Sequence, residues 1–320
     1  MRLLVLVLDG VFDTGLATVL DALGAANELA EMTGVTSLRF ETKVVGIRRA
    51  PKTAQGLQVP VAKADGQRTP DWVIVPAIGR KDPATLAAAL DTRQVYEAGE
   101  LLRHWASRGA NMAAACDGTF VLAESSLLDG EDATTTWWLA PMFRQRYPNV
   151  HLDESRIIVR SNRVLTAGAA LSHLDMALTL IRLASPELAA LTARYLVVDA
   201  RASQAIYVIP DHLAHADAVV ERFERWARGR LAEGFALDEA AAAVGTSKRT
   251  LARRMQGVLG KSPLAYFQDL RVERALHLLK TTSASVDQIA PQVGYAEGVT
   301  LRALLRRRLG HGVRELRARL

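Results

Sequence analysis

The hydrophobic pattern changes character near residue 200, and that change limits what the chain can fold into. Before it, short apolar runs alternate with stretches of helical spacing; after it, helical spacing continues almost unbroken, in short segments ended by glycine. Residues 3–8 are apolar without exception and are stopped by Asp9, as expected for a strand buried on both faces of a parallel sheet. Further strands are predicted over 40–47, 72–77, 111–116 and 164–167. Helices are predicted over 18–31, 83–89, 97–108 and 169–184, and a hairpin over 155–167 turning at Ser161-Asn162. Such alternation predicts a doubly wound α/β sandwich over 1–196. Ligands of these sheets sit beyond the carboxyl ends of the strands, which directs attention to the segments after Leu8, Ala77 and Ala115. A connecting segment containing Pro210 is expected over 197–216, and an all-α domain over 217–320.

The all-α part contains an internal repeat. Residues 237–244, Gly245 and 247–259 read as helix, tight turn, helix, and 286–293, Gly294 and 298–309 have the same form. The two turn glycines are 49 residues apart, and 263–280 between them reads as one long amphipathic helix. Each half is therefore a candidate helix-turn-helix. In the first, Ser247 is placed to cap a helix whose apolar face is Leu251, Met255 and Leu259, leaving Lys248, Arg249, Arg253 and Gln256 outward. In the second, Leu301, Leu304, Leu305 and Leu309 turn inward, and Thr300, Arg302, Arg306 and Arg307 outward. Long cationic side chains on an exposed helix reach phosphates and guanine edges in a major groove. One such helix is also what any solvated surface helix looks like; two in tandem point to double-stranded DNA.

Charge agrees with this division. Residues 211–320 hold 19 Lys+Arg against 12 Asp+Glu, whereas 1–210 hold 21 against 22. A neutral domain joined to a basic one confines any contact with a polyanion to the C-terminal third. With 49% hydrophobic and 23% charged residues the chain is not of disordered or collagen-like composition. Its single cysteine excludes an intramolecular disulfide and fits a reducing compartment. The apolar run after Arg2 is too short for a signal-peptide core, and no uncharged apolar stretch approaches membrane-spanning length, so a cytoplasmic protein without membrane contact is expected. No phosphate-cradling glycine motif appears, hence no cofactor is expected. His212 and His215 lack a nearby third ligand, hence no metal is expected either.

The region from about 217 to 320 resembles the DNA-binding domain of the AraC/XylS family of transcription regulators. The resemblance rests on 246–254 (Thr-Ser-Lys-Arg-Thr-Leu-Ala-Arg-Arg), on Gly260-Lys261-Ser262-Pro263, on 271–275 (Arg-Val-Glu-Arg-Ala), and on 289–295 (Ile-Ala-Pro-Gln-Val-Gly-Tyr). It thins further on, where Leu301 and Leu305 replace the usual phenylalanines and Gly312-Val313 replaces a second Ser-Pro. The family's second-helix arginine falls at Ala303, with Arg302 one place earlier, which weakens the expectation of base contacts in this half.

Cys116 follows an apolar strand and precedes a helix start, the arrangement of a nucleophile elbow, where backbone N–H groups favour a thiolate. A lone cysteine is more often a small buried hydrophobe, but its surroundings are specific. Residues 115–123 (Ala-Cys-Asp-Gly-Thr-Phe-Val-Leu-Ala), Leu127-Leu128-Asp129-Gly130, 133–137 (Ala-Thr-Thr-Thr-Trp), 166–170 and 175–178 resemble the PfpI-type, class I glutamine-amidotransferase-like domain. That likeness implies a flavodoxin-like sandwich, used as a sensor when fused to an AraC-type tail. It further implies a small effector, amino-acid-like or a quaternary amine, bound near Cys116, Asp117, Ile78, Gly79, Phe12, Asp13 and Trp137. A homodimer that activates promoters with RNA polymerase is implied as well. Enzymatic relatives carry a histidine where Thr136 stands and a glutamate near Gly15, with Asp13 a poor substitute, so no turnover and no catalytic residue is expected. The rival readings are a cysteine hydrolase or glyoxalase-like enzyme with an accessory basic domain, and a nonspecific nucleic-acid-associated chaperone.

Overall fold

The apolar run near the N-terminus becomes β1 (Arg2–Val7), and its residues divide between two cores. The computed structural model describes residues 1–198, 204, 217–309 and 312–313. Two compact units result, Met1–Gln204 and Ala205–Leu320. His212, His215 and all of the expected connecting segment except 197, 198 and 204 lie outside the described residues, as does the Leu309 side chain.

In the first unit β1 is followed by α1 (Asp13–Thr33), β2 (Glu41–Gly46), β3 (Ala62–Lys63), β4 (Trp72–Val75), α2 (Pro83–Leu90), α3 (Arg93–Ser107), β5 (Asn111–Ala115) and α4 (Gly118–Glu124). Then come β6 (Asp132–Ala133), α5 (Ala140–Arg146), β7 (His151–Leu152), β8 (Ile158–Ser161), β9 (Val164–Ala167), α6 (Ser172–Ala184) and α7 (Pro186–Tyr195). Seven strands form one sheet in the order β3-β2-β1-β4-β5-β9-β8, parallel except for the β8–β9 hairpin, which turns at Asn162-Arg163, one residue beyond the expected Ser161-Asn162 because Ser161 still pairs with Val164. Leu3, Val5 and Val7 pack on the face covered by α1, α6 and α7. Leu4 and Leu6, with Leu8 just beyond the strand, pack on the face covered by α2 to α5. Two-sided burial is the reason the strand shows no alternation in sequence: every position loses its water, at about 1.5–3 kcal/mol per large aliphatic side chain. The expected doubly wound, flavodoxin-like sandwich is borne out. Strand order reverses between β1 and β4, so the loops after these strands part at the switch point, beside the end of β5.

The second unit comprises α8 (Ala218–Arg228), α9 (Leu237–Ala243), α10 (Lys248–Leu259), α11 (Pro263–Thr281), α12 (Val286–Gln292) and α13 (Gly298–Leu309). Gly245 and Gly294, between the paired helices, have φ of 70° and 78°, the left-handed conformation that a tight turn needs and glycine adopts at least cost. Asp217, Ser247, Ser262 and Ser285 each cap the following helix with a side-chain oxygen. Two small cores result. Phe223, Leu251, Met255 and Phe267 belong to one, and Ala275, Ile289, Val293, Leu301 and Leu305 to the other, with α11 contributing to both.

Between those cores lies Arg271, 6% exposed. Its Nε donates to the Leu231 carbonyl (3.0 Å), and its guanidinium stacks between the rings of Phe267 (4.8 Å) and Tyr295 (5.1 Å). Arg271→Ala should destabilise the second unit by about 2–4 kcal/mol, because a buried carbonyl loses its donor and two rings lose their cation. Urea unfolding of the full chain, followed by helical circular dichroism, measures this; a change under 0.5 kcal/mol would show that the residue is not structural.

No helix among the described residues is long and apolar enough to cross a membrane.

Candidate functional sites: a closed cysteine elbow and two cationic helices

In the first unit the site forms where β5 ends. Cys116 has φ 57°, a conformation that side chains with a Cβ seldom adopt, so the turn must be held by its neighbours. The Cys116 N–H donates to the Ala167 carbonyl at the end of β9 (2.9 Å), and its carbonyl accepts from the Thr135 hydroxyl (2.7 Å). Asp117 then reaches across to the loop after β4. Its Oδ1 accepts from the Ile78 N–H (2.6 Å) and its Oδ2 from the Arg80 N–H (2.7 Å), with the Gly79 N–H also turned toward it. Burial pushes the Asp117 carboxyl up to about 6 even though these backbone donors favour its charged form.

Burial, and after it the charge of Asp117, push the Cys116 thiol well above its ordinary value, with the Thr136 hydroxyl acting in the opposite direction. The expectation that the start of α4 favours a thiolate is therefore corrected. The side chain is desolvated at 5% exposure, and the adjacent carboxyl disfavours a second negative charge.

Sequence reasoning missed His173, on α6 and fully buried. Its Nε2 accepts from the Ala77 N–H (3.1 Å), which leaves the proton on Nδ1 to donate to the Ala170 carbonyl (2.6 Å). Burial lowers its pKa to about 4, so the ring is neutral near pH 7. The ring packs against Gly15, where a Cβ would lie 2.6 Å from Nε2. The available signal was a histidine among the polar residues that open the otherwise apolar buried face of α6, matched by a residue without a side chain on α1.

The structure gathers Phe12, Asp13, Ile78, Gly79, Cys116 and Asp117 at the carboxyl ends of β1, β4 and β5. The Phe12 N–H donates to the Ala77 carbonyl (2.8 Å), and Asp13 Oδ2 accepts from the Gln55 N–H (3.2 Å). The Ile78 amide, in the loop expected beside the effector, is already taken up by Asp117. Trp137 is buried on a short 3₁₀ turn, edge-to-face with Trp138 at 5.4 Å, directly after the Thr135 and Thr136 that touch Cys116.

In the second unit every inward and outward assignment that falls on described side chains holds. Leu251, Met255, Leu259, Leu301, Leu304 and Leu305 are buried, whereas Ser247, Lys248, Arg249, Arg253, Gln256, Thr300, Arg302, Arg306 and Arg307 are exposed. Two of the cations are paired: Lys248 with Asp238 (2.7 Å) and Arg302 with Asp287 (2.5 Å). Arg249, Arg253, Arg306 and Arg307 form no ion pair among the described residues. No group of three or more metal-ligating side chains occurs among the described residues.

The DJ-1/PfpI family model matches residues 1–183, and a helix-turn-helix domain model matches residues 240–319. The HTH-type transcriptional regulator GbdR of Pseudomonas aeruginosa is 29% identical over 295 residues, which cover 91% of this chain and 77% of that protein. The HTH-type transcriptional regulator ArgR of the same organism is 27% identical over 256 residues, covering 79% and 75%. Among solved structures, an AraC family transcriptional regulator from Pseudomonas putida matches with a TM-score of 0.51 at 17% identity, covering 61% of this chain and 98% of that one. At that identity the likeness shows a shared fold.

Two predictions follow from the geometry of these sites. Arg253→Ala should cost about 1–3 kcal/mol on a selected DNA site and relax preference at one base pair, as loss of a base contact does. Arg306→Ala should weaken selected and random DNA equally, as loss of a phosphate contact does. Fluorescence anisotropy at fixed salt reads both, and unchanged affinities would place the DNA surface elsewhere. The second prediction concerns acid. Unfolded histidine takes a proton near its ordinary 6.5 while His173 stays neutral down to about 4, so protonation favours unfolding as pH falls through that window. Asp117, raised to about 6, acts with the opposite sign, gaining stability as pH falls from 6 toward its ordinary 3.8. Subtracting a His173→Gln profile isolates the histidine: the stability difference should fall by on the order of 3 kcal/mol from pH 7 to pH 4. A flat difference would mean that the ring takes up its proton in the fold as readily as in the unfolded chain.

Proposed function

This chain belongs to the DJ-1/PfpI family and is an AraC-type DNA-binding transcription regulator, and on that premise we propose that its first unit senses a small metabolite at the Cys116 elbow and thereby controls promoter activation. The observation that carries the sensing part is the loop after β4. Its backbone N–H groups at Ala77, Ile78 and Arg80 point at His173 and Asp117. An acyl-transfer site needs such donors aimed at the developing oxyanion, and a nucleophile with a base beside it. Here the donors serve internal acceptors, the thiol is held protonated, and both nitrogens of His173, the one buried histidine among the described residues, are engaged. Those features support binding without turnover.

The DNA part rests on the two exposed cationic helix faces. Tandem readers on one chain suit paired half-sites, and a homodimer supplies two such chains. Contact with RNA polymerase completes the reading of the protein as an activator. An effector regulates only if it binds one arrangement of the protein better than another, and a tenfold change in operator occupancy needs about 1.4 kcal/mol of such preference.

Selection from a random DNA pool with the full chain should enrich one sequence, bound at least 10³-fold more tightly than random DNA. Enrichment of no sequence would favour the nonspecific reading. Cys116→Ser should fold and bind the selected site like the parent. Cys116→Trp should retain DNA binding and lose any effector response. Incubation with amide, ester and 2-oxoaldehyde panels should show no Cys116-dependent turnover; turnover well above background would replace the sensor with a cysteine enzyme.

A further inference from the structure

Gln204 is fully buried in the first unit, although it lies in sequence within the expected connecting segment, thirteen residues before the Asp217 that caps α8. Its backbone N–H donates to the Ser155 carbonyl (2.9 Å), and its side chain enters the wall of the Cys116 elbow. Nε2 lies 2.9 Å from the Thr135 carbonyl, 3.2 Å from the Arg156 carbonyl and 3.3 Å from Thr134 Oγ1. The Thr135 hydroxyl is the group that holds the Cys116 carbonyl. On the other side, Gly168 follows the Ala167 whose carbonyl holds the Cys116 N–H, and a Cβ on Gly168 would lie 2.5 Å from Nε2. The absence of a side chain at 168 is what makes room for the carboxamide.

A carboxamide fits this place poorly at both ends. All three neighbours of Nε2 are acceptors: two are carbonyls, and the Thr134 hydroxyl spends its own proton on the Arg156 carbonyl (2.9 Å). A carboxamide nitrogen has two protons for these three acceptors. Meanwhile Oε1 is buried with no partner among the described residues. A primary ammonium carries three N–H donors and no acceptor, so it would satisfy all three acceptors and leave nothing unpaired. A quaternary ammonium has no N–H and would satisfy none.

We infer that Gln204 is an internal plug in an ammonium subsite beside the Cys116 elbow, and that a ligand bearing a primary ammonium group takes its place. The inference builds on the effector reading above and narrows it: the effector is a primary amine, and its arrival frees the residue from which the chain runs on to the DNA-binding unit.

The test uses the full chain, ethylammonium chloride as probe and tetramethylammonium chloride at the same ionic strength as control. Gln204→Ala removes the shared donor of all three acceptors, leaves the Thr135 carbonyl without a donor among the described residues while the Arg156 carbonyl keeps the Thr134 hydroxyl, and should melt below the parent. Ethylammonium should restore that loss and bind the variant at least tenfold more tightly than the parent, whose own side chain competes; tetramethylammonium should do neither. Equal effects of the two cations, or equal affinity of ethylammonium for variant and parent, would overturn the inference. If Gln204→Ala does not fold, Gln204→Lys decides, because it supplies an ammonium from the same backbone position. The lysine variant should melt above Gln204→Met and ignore ethylammonium, and melting below Gln204→Met would overturn the inference. Ammonium binding that leaves affinity for the selected DNA site unchanged would sustain the subsite and refute its role in regulation, so the two readings fail separately.

Discussion

The carboxyl group of Asp117 holds together what the rest of the first unit depends on. Parallel strands leave their loops independent at the carboxyl edge, and the order β1–β4–β5 puts three such loops side by side at the switch point. A left-handed cysteine cannot persist there without compensation. Asp117 supplies it by accepting from the amides of the loop after β4, so one buried carboxylate satisfies a row of donors that would otherwise lie unpaired beside the sheet end. His173 does the same for Ala77 from the opposite face. The amides of Ala77, Ile78 and Arg80 are consequently all engaged by internal acceptors. On the sensor reading proposed above, this leaves those amides for structure and not for the transient charge of a covalent intermediate.

The second unit follows a different constraint. Its two cores are too small for either helix pair to be stable alone, and α11 joins them by contributing to both. Arg271 sits where α11 passes from one core to the other and uses its planar guanidinium between two rings, a role that a lysine ammonium cannot fill. The exposed arginines of α10 and α13 thus stand on supports that share one axis.

Legibility in the sequence followed the amount of periodic burial. β1, β4, β5 and β9 were readable because every residue after the first of β1 and β5, and every residue of β4 and β9, is buried, and the helical repeat because its leucines recur at 3.6-residue spacing between turn glycines. β3, β6 and β7 have two residues each and carry no period to detect. α1 begins at Asp13, five residues before the predicted start, because Phe12 offers no side-chain cap to announce it. The elbow itself was legible from Cys116 and its flanks. Its partners were not, since His173 and Gln204 lie 57 and 88 residues further on and resemble ordinary helix and linker residues until the fold brings them to the sheet edge.

The repeat also explains why the two cationic helices, α10 and α13, are not equivalent. Asp238 and Asp287 stand 49 residues apart, as do Arg253 and Arg302, the separation of the two turn glycines. The same acid position therefore recurs in each motif, yet it engages a different cation. In the first motif Asp238 takes Lys248 from the first turn of α10, and Arg253 stays exposed without an ion pair among the described residues. In the second, Glu297 stands at the position equivalent to Lys248, and Asp287 takes Arg302, the counterpart of Arg253. An exposed pair of this kind contributes at most about 1 kcal/mol, so DNA can displace it, but the displacement offsets part of any contact that Arg302 makes. The first motif presents its arginine at no such cost. The second leaves Arg306 and Arg307 exposed, and the proposed reading assigns them to the backbone, where a phosphate contact needs charge and little precise geometry. On the proposed DNA-binding reading, base discrimination is therefore expected to concentrate in α10, with α13 mainly adding affinity.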